Sequence, residues 1–204
     1  MAEHYFSIAP STPSQPTPVE LRLQDMKLTL ITDRGVFSGS RVDPGTVALL
    51  REVPIAPAEG DLLDLGCGYG PIACALARRS PLATVWATDI NPRALELTAA
   101  NAARLGLSHL RTAGPADIPA DVRFAGIWSN PPIRVGKEAL HELLSTWLAR
   151  LAQGAAAWLV VHRHLGSDSL AAWLEDGGWV VRRAASKSGY RVLRLPAGCQ
   201  PARP

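Results

Sequence analysis

Apolar positions along the chain fall into two alternating rhythms. Short runs of period two, or of unbroken apolar character, are followed by longer stretches repeating every three to four residues. Residues 26–32 read with period two, with Leu28 and Leu30 on one face and Lys27 and Thr29 on the other. Asp33-Arg34-Gly35 then reads as a turn and Val36-Phe37 as its return, which predicts a short hairpin. Asp43-Pro44 places an N-cap and an N1 proline ahead of Val47, Leu50 and Val53, the signature of a short helix. From residue 61 onward the alternation is regular. Strands are expected at 61–66, 84–89, 109–113, 124–129 and 155–162, with two more at 179–185 and 190–195. Helices are expected at 71–79 with Ile72, Cys74 and Leu76 inward, at 92–105 after the Asn91 cap, at 137–151 and at 168–175. Gly106 and Gly177-Gly178 mark two helix ends. Strands alternating with helices predict an α/β fold with a mainly parallel sheet covered on both faces. The two consecutive strands at the end predict one antiparallel pair at an edge.

Composition sets the scale. The chain has 204 residues, 47% hydrophobic and 19% charged, which suits one sizeable core and excludes wholesale disorder. Pro10, Pro13, Pro16 and Pro18 among Ser, Thr and Gln predict an extended arm over 1–20. A single domain is expected over 21–196, with a flexible tail at 197–204 and no internal repeat. No run of eighteen apolar residues predicts a spanning helix. The first residues lack a basic flank followed by an apolar stretch, so a secretory signal is not expected and a cytoplasmic location is. Cys67, Cys74 and Cys199 are odd in number and lack ligand spacing, which points to reduced thiols and no metal site. Net charge is +3, unevenly spread: residues 150–195 carry an excess of four positive charges and the remainder is net −1. A solvated basic face is the plain reading of that excess, and a polyanionic partner the functional one.

Two stretches carry chemistry. The first expected strand ends in Asp64-Leu65-Gly66-Cys67-Gly68-Tyr69-Gly70-Pro71. Glycines two apart let the backbone turn tightly and approach a ligand where any Cβ would intrude. Asp89 follows the second strand, where a carboxylate can accept both hydroxyl hydrogens of a ribose. Dinucleotides need G-x-G-x-x-G and a helix N-terminus facing the pyrophosphate. This chain has G-x-G-x-G, which resembles the loop of class I S-adenosylmethionine (SAM) methyltransferases. Cys67 has no His or Asp close by in sequence to lower its pKa, so it reads as a small buried residue and not a nucleophile.

The fourth strand ends in Ser129-Asn130-Pro131-Pro132-Ile133. Two prolines fix the backbone and remove donors, leaving carbonyl acceptors beside the Asn130 side-chain oxygen. Such a cluster suits an NH₂ conjugated to a ring or a carbonyl. Two accepted hydrogen bonds hold that nitrogen, favour its pyramidalisation and aim its lone pair. Methyl transfer then proceeds by positioning, with no strong base needed first.

Nearly the whole chain resembles the methyltransferase small-domain family, which includes ribosomal RNA guanine-N2 methyltransferases. The matching segments are His4-Tyr5-Phe6-Ser7, Gly35-Val36-Phe37-Ser38, Asp43-Pro44-Gly45-Thr46, the glycine loop, and Asp89-Ile90-Asn91-Pro92. To these are added Asn130 through Lys137, His164 through Leu170 and Lys187 through Val192. The resemblance implies a Rossmann-like, seven-stranded sheet, SAM as cofactor and ribosomal RNA as partner, with Asn130, Pro131, Pro132 and Ile133 as catalytic loop. It implies cofactor contacts from Thr46, Asp64, Gly66, Cys67, Gly68, Tyr69, Gly70, Asp89, Ile90 and Asn91. Asp117 is the candidate for the acid that relatives place near the adenine amine. The chain departs from the family pattern in two further respects. Longer relatives carry an additional N-terminal domain, and many have Phe or Tyr where Ile133 stands. Stacking on an aromatic is worth about 1–3 kcal/mol per base, so Ile133 implies a looser grip on the target.

Substrate contacts are expected from Arg134 and Lys137 after the loop, His162 and Arg163 at the end of the fifth strand, and Arg191 beyond the last turn. Transfer to adenine N6 or a glutamine amide keeps the chemistry and changes the acceptor. A SAM-binding assembly factor without catalysis and a dehydrogenase are the readings from other classes.

Overall fold

The computed structural model describes residues 12–38 and 40–197. The expectations placed on His4 to Ser7, on Cys199 and on most of the tail lie outside these residues, as do the first residues of the arm. A two-stranded hairpin, β1 (Thr17–Arg22) and β2 (Lys27–Thr32), precedes α1 (Pro44–Glu52). There follow β3 (Asp61–Leu65), α2 (Pro71–Arg79), β4 (Thr84–Thr88), α3 (Pro92–Arg104), β5 (Leu110–Ala113) and β6 (Phe124–Ser129). The last third holds α4 (Lys137–Leu148), β7 (Leu151–His162), α5 (Ser167–Asp176), β8 (Arg182–Lys187) and β9 (Tyr190–Pro196).

The main sheet has seven strands in the order β5-β4-β3-β6-β7-β9-β8. β5, β4, β3, β6 and β7 are parallel, and β9 runs antiparallel to both β7 and β8. Residues of β3 alternate between two cores. Leu62 packs with Leu49, Leu50, Ile72 and Leu76 of α1 and α2, whereas Leu63 and Leu65 pack with Leu140, Leu144 and Trp147 of α4. Each such leucine, fully buried, contributes about 1.5–3 kcal/mol, so both faces of the sheet are held by helices. Among the described residues no helix is long and apolar enough to cross a membrane.

The chain moves outward from β3 to β4 and β5, then returns to place β6 on the other side of β3. Strand order therefore reverses between β3 and β6, where ligands enter open α/β sheets. Thr88, Leu65 and Ser129 stand in one register row across three neighbouring strands. Asp89, Gly66 and Asn130 leave the sheet from that row, side by side. This row positions the site.

Several boundaries differ from the sequence reading. The hairpin forms from β1 and β2, so the partner of β2 lies upstream and not at Val36-Phe37. β1 starts at Thr17, inside the stretch expected to be an extended arm; Val19 and Leu21 are buried there, and Pro18 is tolerated on an exposed position of a two-stranded ribbon. α4 stops at Leu148, and Leu151 opens β7, pairing with Phe124 ahead of a register shift. β8 begins three residues later than expected, because Trp179 turns back onto Leu174 to close α5.

A two-stranded hairpin is marginal alone, and this one is tied to the body by Asn101 of α3. The Asn101 amide bonds the Ile31 backbone on both sides, accepting from its N–H at 2.7 Å and donating to its C=O at 2.8 Å. It thus stands in for a third strand. Its amide nitrogen also donates to Tyr69 O at 2.9 Å, which joins the hairpin to the glycine loop.

Candidate active site

A cavity of about 810 Å³ opens over the carboxyl ends of β3, β4 and β6 and runs on toward the end of β7. That volume falls within the range of small-molecule sites. Gly66, Gly68, Asp89, Ile90 and Asn91 line one end, and Asn130 to Arg134 with His162 line the other.

The glycine loop owes its shape to two demands. Gly68 has φ +56°, and a Cβ there would meet no protein atom within 4 Å, so its backbone presents open space to the cavity. At Gly70 (φ +87°) a Cβ would lie 2.8 Å from Thr98. The same Thr98 hydroxyl donates to Gly68 O at 2.9 Å. With the Asn101 bond to Tyr69 O, two polar residues of α3 hold successive carbonyls of the loop. They lie at i and i+3 on the inner face of α3, buried beside Ala94 and Ala102. A Thr and an Asn within an alanine stripe were the signal by which sequence reasoning could have found them.

Asp64 is fully buried and does not line the cavity. Its Oδ2 accepts from Ala73 N at 2.9 Å, at the N-terminus of α2, and Oδ1 has no partner. Burial pushes its pKa up to about 8, against the opposing pull of that N–H. Its visible role is to order the loop. Asp89 does face the cavity: Oδ2 accepts from Gly68 N and Oδ1 from Asn91 N, each at 3.0 Å. Each oxygen keeps lone-pair capacity for a ligand. Burial raises the Asp89 pKa, while backbone donors oppose the rise. Asn91 caps α3 through Arg93 N and donates to Gly35 O at 3.0 Å, which brings Val36 and Phe37 to the cavity wall.

Cys67 and Tyr69 are buried against a small cleft of about 20 Å³ next to the cavity, with Thr46 and Phe37. Burial drives the Cys67 thiol pKa well up, as expected of an inert cysteine. Gly70 supports the loop and does not line the cavity. Asp117 does not line it either: it belongs to the turn after β5, its N–H bonded to Gly114 O at 3.0 Å, and Pro115 takes the place at the cavity wall.

At the other end, Asn130 is oriented by its surroundings. Its Nδ2 donates to Asp43 Oδ1 at 2.9 Å and to Thr46 Oγ1 at 3.2 Å. Asp43 Oδ1 already accepts from Gly45 N and Thr46 N, so the nitrogen of the amide faces it and Asn130 Oδ1 is left as the open acceptor. Asp43 is held in turn. Its Oδ1 caps α1 through Gly45 N and Thr46 N, and Tyr190 Oη reaches Oδ2 at 3.5 Å. Gly45 gives the Tyr190 ring its room, since a Cβ there would stand 2.6 Å from it. Asp43 was legible in sequence as a helix cap; its second duty, across 87 residues, was not.

Pro131 O is less free than two consecutive prolines suggested. Pro132 adopts φ −75°, ψ 74°, an inverse γ-turn, and Ile133 N donates to Pro131 O at 2.8 Å. One lone pair of that carbonyl remains. Pro132 and Ile133 continue the wall, and Leu143 and Trp147 of α4 extend it with apolar surface. Arg134 and His162 reach the cavity. Lys137 starts α4 outside it, while Arg163 and Arg191 line a separate, smaller pocket.

The model of the methyltransferase small domain matches residues 27–194. The chain is 33% identical over 197 residues to the uncharacterized protein YbxB of Bacillus subtilis (strain 168), covering 95% of this chain and 98% of that one. It is 34% identical over 191 residues to ribosomal RNA small subunit methyltransferase C of Ectopseudomonas mendocina, covering 90% of this chain and 56% of the relative. Among solved structures, the T. thermophilus 16S rRNA N2 G1207 methyltransferase in complex with AdoMet and guanosine aligns with TM-score 0.74 at 23% identity. That alignment covers 93% of this chain and 52% of the other, and shows a shared fold. The chain thus spans about half the length of these ribosomal RNA methyltransferases.

Proposed function

The chain belongs to the methyltransferase small-domain family, and from that premise we propose that it is a SAM-dependent N-methyltransferase whose acceptor is N2 of a guanine in ribosomal RNA. The reading is carried by one observation: the Asn130 amide is locked with its nitrogen on Asp43 and its oxygen open. The residues around the cavity fit SAM. Gly68 leaves space where a side chain would stand, and Asp89 lines the same end of the cavity.

Bound SAM supplies a methyl group on a sulfonium, already activated for in-line displacement. Asp89 would hold the ribose hydroxyls with the lone pairs that Gly68 and Asn91 leave open. Asn130 Oδ1 and the remaining lone pair of Pro131 O accept the two hydrogens of the target amine. With both N–H bonds directed, the nitrogen lone pair is held out of conjugation and toward the donor. Asp43 is occupied by Gly45, Thr46, Asn130 and Tyr190, so it orients Asn130, and the proton shed by the methylated nitrogen after transfer passes to solvent water at the open cavity. Positioning of this kind carries displacement reactions on activated donors. A base in duplex must leave its stack to enter such a cavity, and the apolar wall of Ile133, Leu143 and Trp147 receives it.

Incubation of the protein with tritiated SAM and undermethylated ribosomal RNA, followed by nucleoside analysis, tests the proposal. Label in N2-methylguanosine supports it. Label in N6-methyladenosine or in protein glutamine reassigns the acceptor, and SAM binding without transfer to any fraction overturns the enzymatic reading.

A further inference from the structure

Beside the catalytic cavity lies a second pocket of about 230 Å³, and of its lining only Tyr190, through Asp43, bears on the transfer itself. Arg163, Arg183, Lys187 and Arg191 line it, together with Ser186 and Ser188. We infer that this pocket is a subsite for a backbone phosphate of the RNA strand that presents the target base. The inference rests on the RNA reading of the acceptor and adds a location to it.

The pocket is built by three segments. β8 and β9 are joined by Ser188-Gly189, both with positive φ (49° and 83°), and Lys187 pairs with Tyr190 across the turn. Gly189 O accepts from Arg163 N at 2.8 Å, which fastens that turn to the end of β7. Arg163 therefore lines the same pocket as the cations of β8 and β9.

Charge decides what the pocket takes. Asp168, itself 70% exposed, is the carboxylate paired with these cations among the described residues; it touches Arg191 and lies 3.6 Å from Arg183. One acid against four bases leaves an excess of three positive charges. An edge strand carries lysines and arginines as protection against pairing with another chain, but protection requires charges that splay into solvent. Here four of them line one concave surface, and an anion bound there would relieve their mutual repulsion. Guanidinium groups match phosphate oxygens in a planar fork.

Position decides where the anion comes from. Tyr190 is a wall of both pockets and reaches Asp43, which holds Asn130. A strand that places its base against Asn130 runs its backbone past Tyr190 into the basic pocket. Phosphate contacts of this kind fix the register of a strand without reading its sequence.

The test compares wild type with Arg183→Ala combined with Lys187→Ala, both exposed positions. The probe is a fluorescein-labelled single-stranded RNA containing guanines, with affinity measured by anisotropy between low and physiological salt. The double variant is expected to bind about tenfold more weakly at low salt, equivalent to about 1.4 kcal/mol. The slope of log K against log salt should shrink by about 0.7 for each phosphate that is no longer neutralised. Unchanged SAM affinity by calorimetry verifies that the variant is folded. The charge-keeping pair Arg183→Lys with Lys187→Arg should retain the wild-type slope; a flattened slope there contradicts the phosphate assignment. Equal affinity and slope in wild type and the alanine pair overturn the subsite, even if wild type methylates RNA. A slope that shrinks as expected on substitution, in a protein whose wild type transfers no methyl group, supports the subsite and overturns the enzymatic reading. Absence of RNA binding by wild type overturns both.

Discussion

Asp43 Oδ1 accepts from Asn130 Nδ2 at 2.9 Å, and this hydrogen bond, joining a helix cap to a strand end 87 residues away, decides which atom of the amide is offered to a ligand. Asp43→Asn separates its two duties. Asn caps helices as well as Asp, so the melting temperature should move little. An Asn side chain can present either oxygen or nitrogen, so Asn130 is no longer forced into one orientation. The turnover rate should fall while SAM affinity holds. Single-turnover transfer and calorimetry check this, and an unchanged rate would show that orientation is set elsewhere.

Asn101→Leu removes the three bonds to Ile31 N, Ile31 O and Tyr69 O. Each buried backbone group left unpaired costs about 1–3 kcal/mol. Urea unfolding should report a loss of that order or larger. Because Tyr69 belongs to the glycine loop, SAM affinity should weaken too. Loss of stability with unaltered SAM affinity would mean that the hairpin tether and the loop are independent.

Asp64 gives a pH signature. Its pKa rises from the ordinary carboxyl value, about 3.9 in an unfolded chain, to about 8 in the fold through burial. The native state therefore holds the proton more tightly than the unfolded state. Its contribution to stability is full below pH 4 and is lost as pH rises toward 8. Asp64→Asn keeps an acceptor for Ala73 N and removes the titration. Denaturation midpoints of wild type should fall relative to Asp64→Asn between pH 5 and pH 8, and parallel profiles would contradict the assignment.

Ile133→Tyr restores an aromatic wall next to Asn130. Stacking of a base on such a ring is worth about 1–3 kcal/mol. The KM for the RNA acceptor should fall with little change in the KM for SAM, as measured by steady-state transfer. A raised KM would show that the space beside Ile133 is already filled by the α4 wall.

What was legible in the sequence was local. Gly70-Pro71 and Asn91-Pro92 announced α2 and α3 to within a residue, because N1 prolines and caps act on their immediate neighbours. The mostly apolar runs of β3, β4 and β6 were equally plain, since both faces of a parallel sheet are buried. β1 was hidden by Pro18 and its polar outer face, which resemble a linker until Val19 and Leu21 find the core. The loops that carry Gly66, Asp89 and Asn130 could be placed at strand ends, and parallel pairing brings them into one row. The hydrogen bonds of Asn130 to Asp43, and of Asn101 to Ile31 and Tyr69, cross dozens of residues and follow from packing, which no local pattern records. Asp117 shows the reverse case: it sits at the expected place in sequence, and its turn folds it away from the cavity.

The most direct test replaces the open acceptor itself. Asn130→Ala, loaded with SAM, should bind the cofactor with wild-type affinity by calorimetry and transfer methyl to ribosomal RNA at least about a hundredfold more slowly in a single turnover, in line with loss of one preorganised polar group. Transfer at the wild-type rate by that variant would contradict the account.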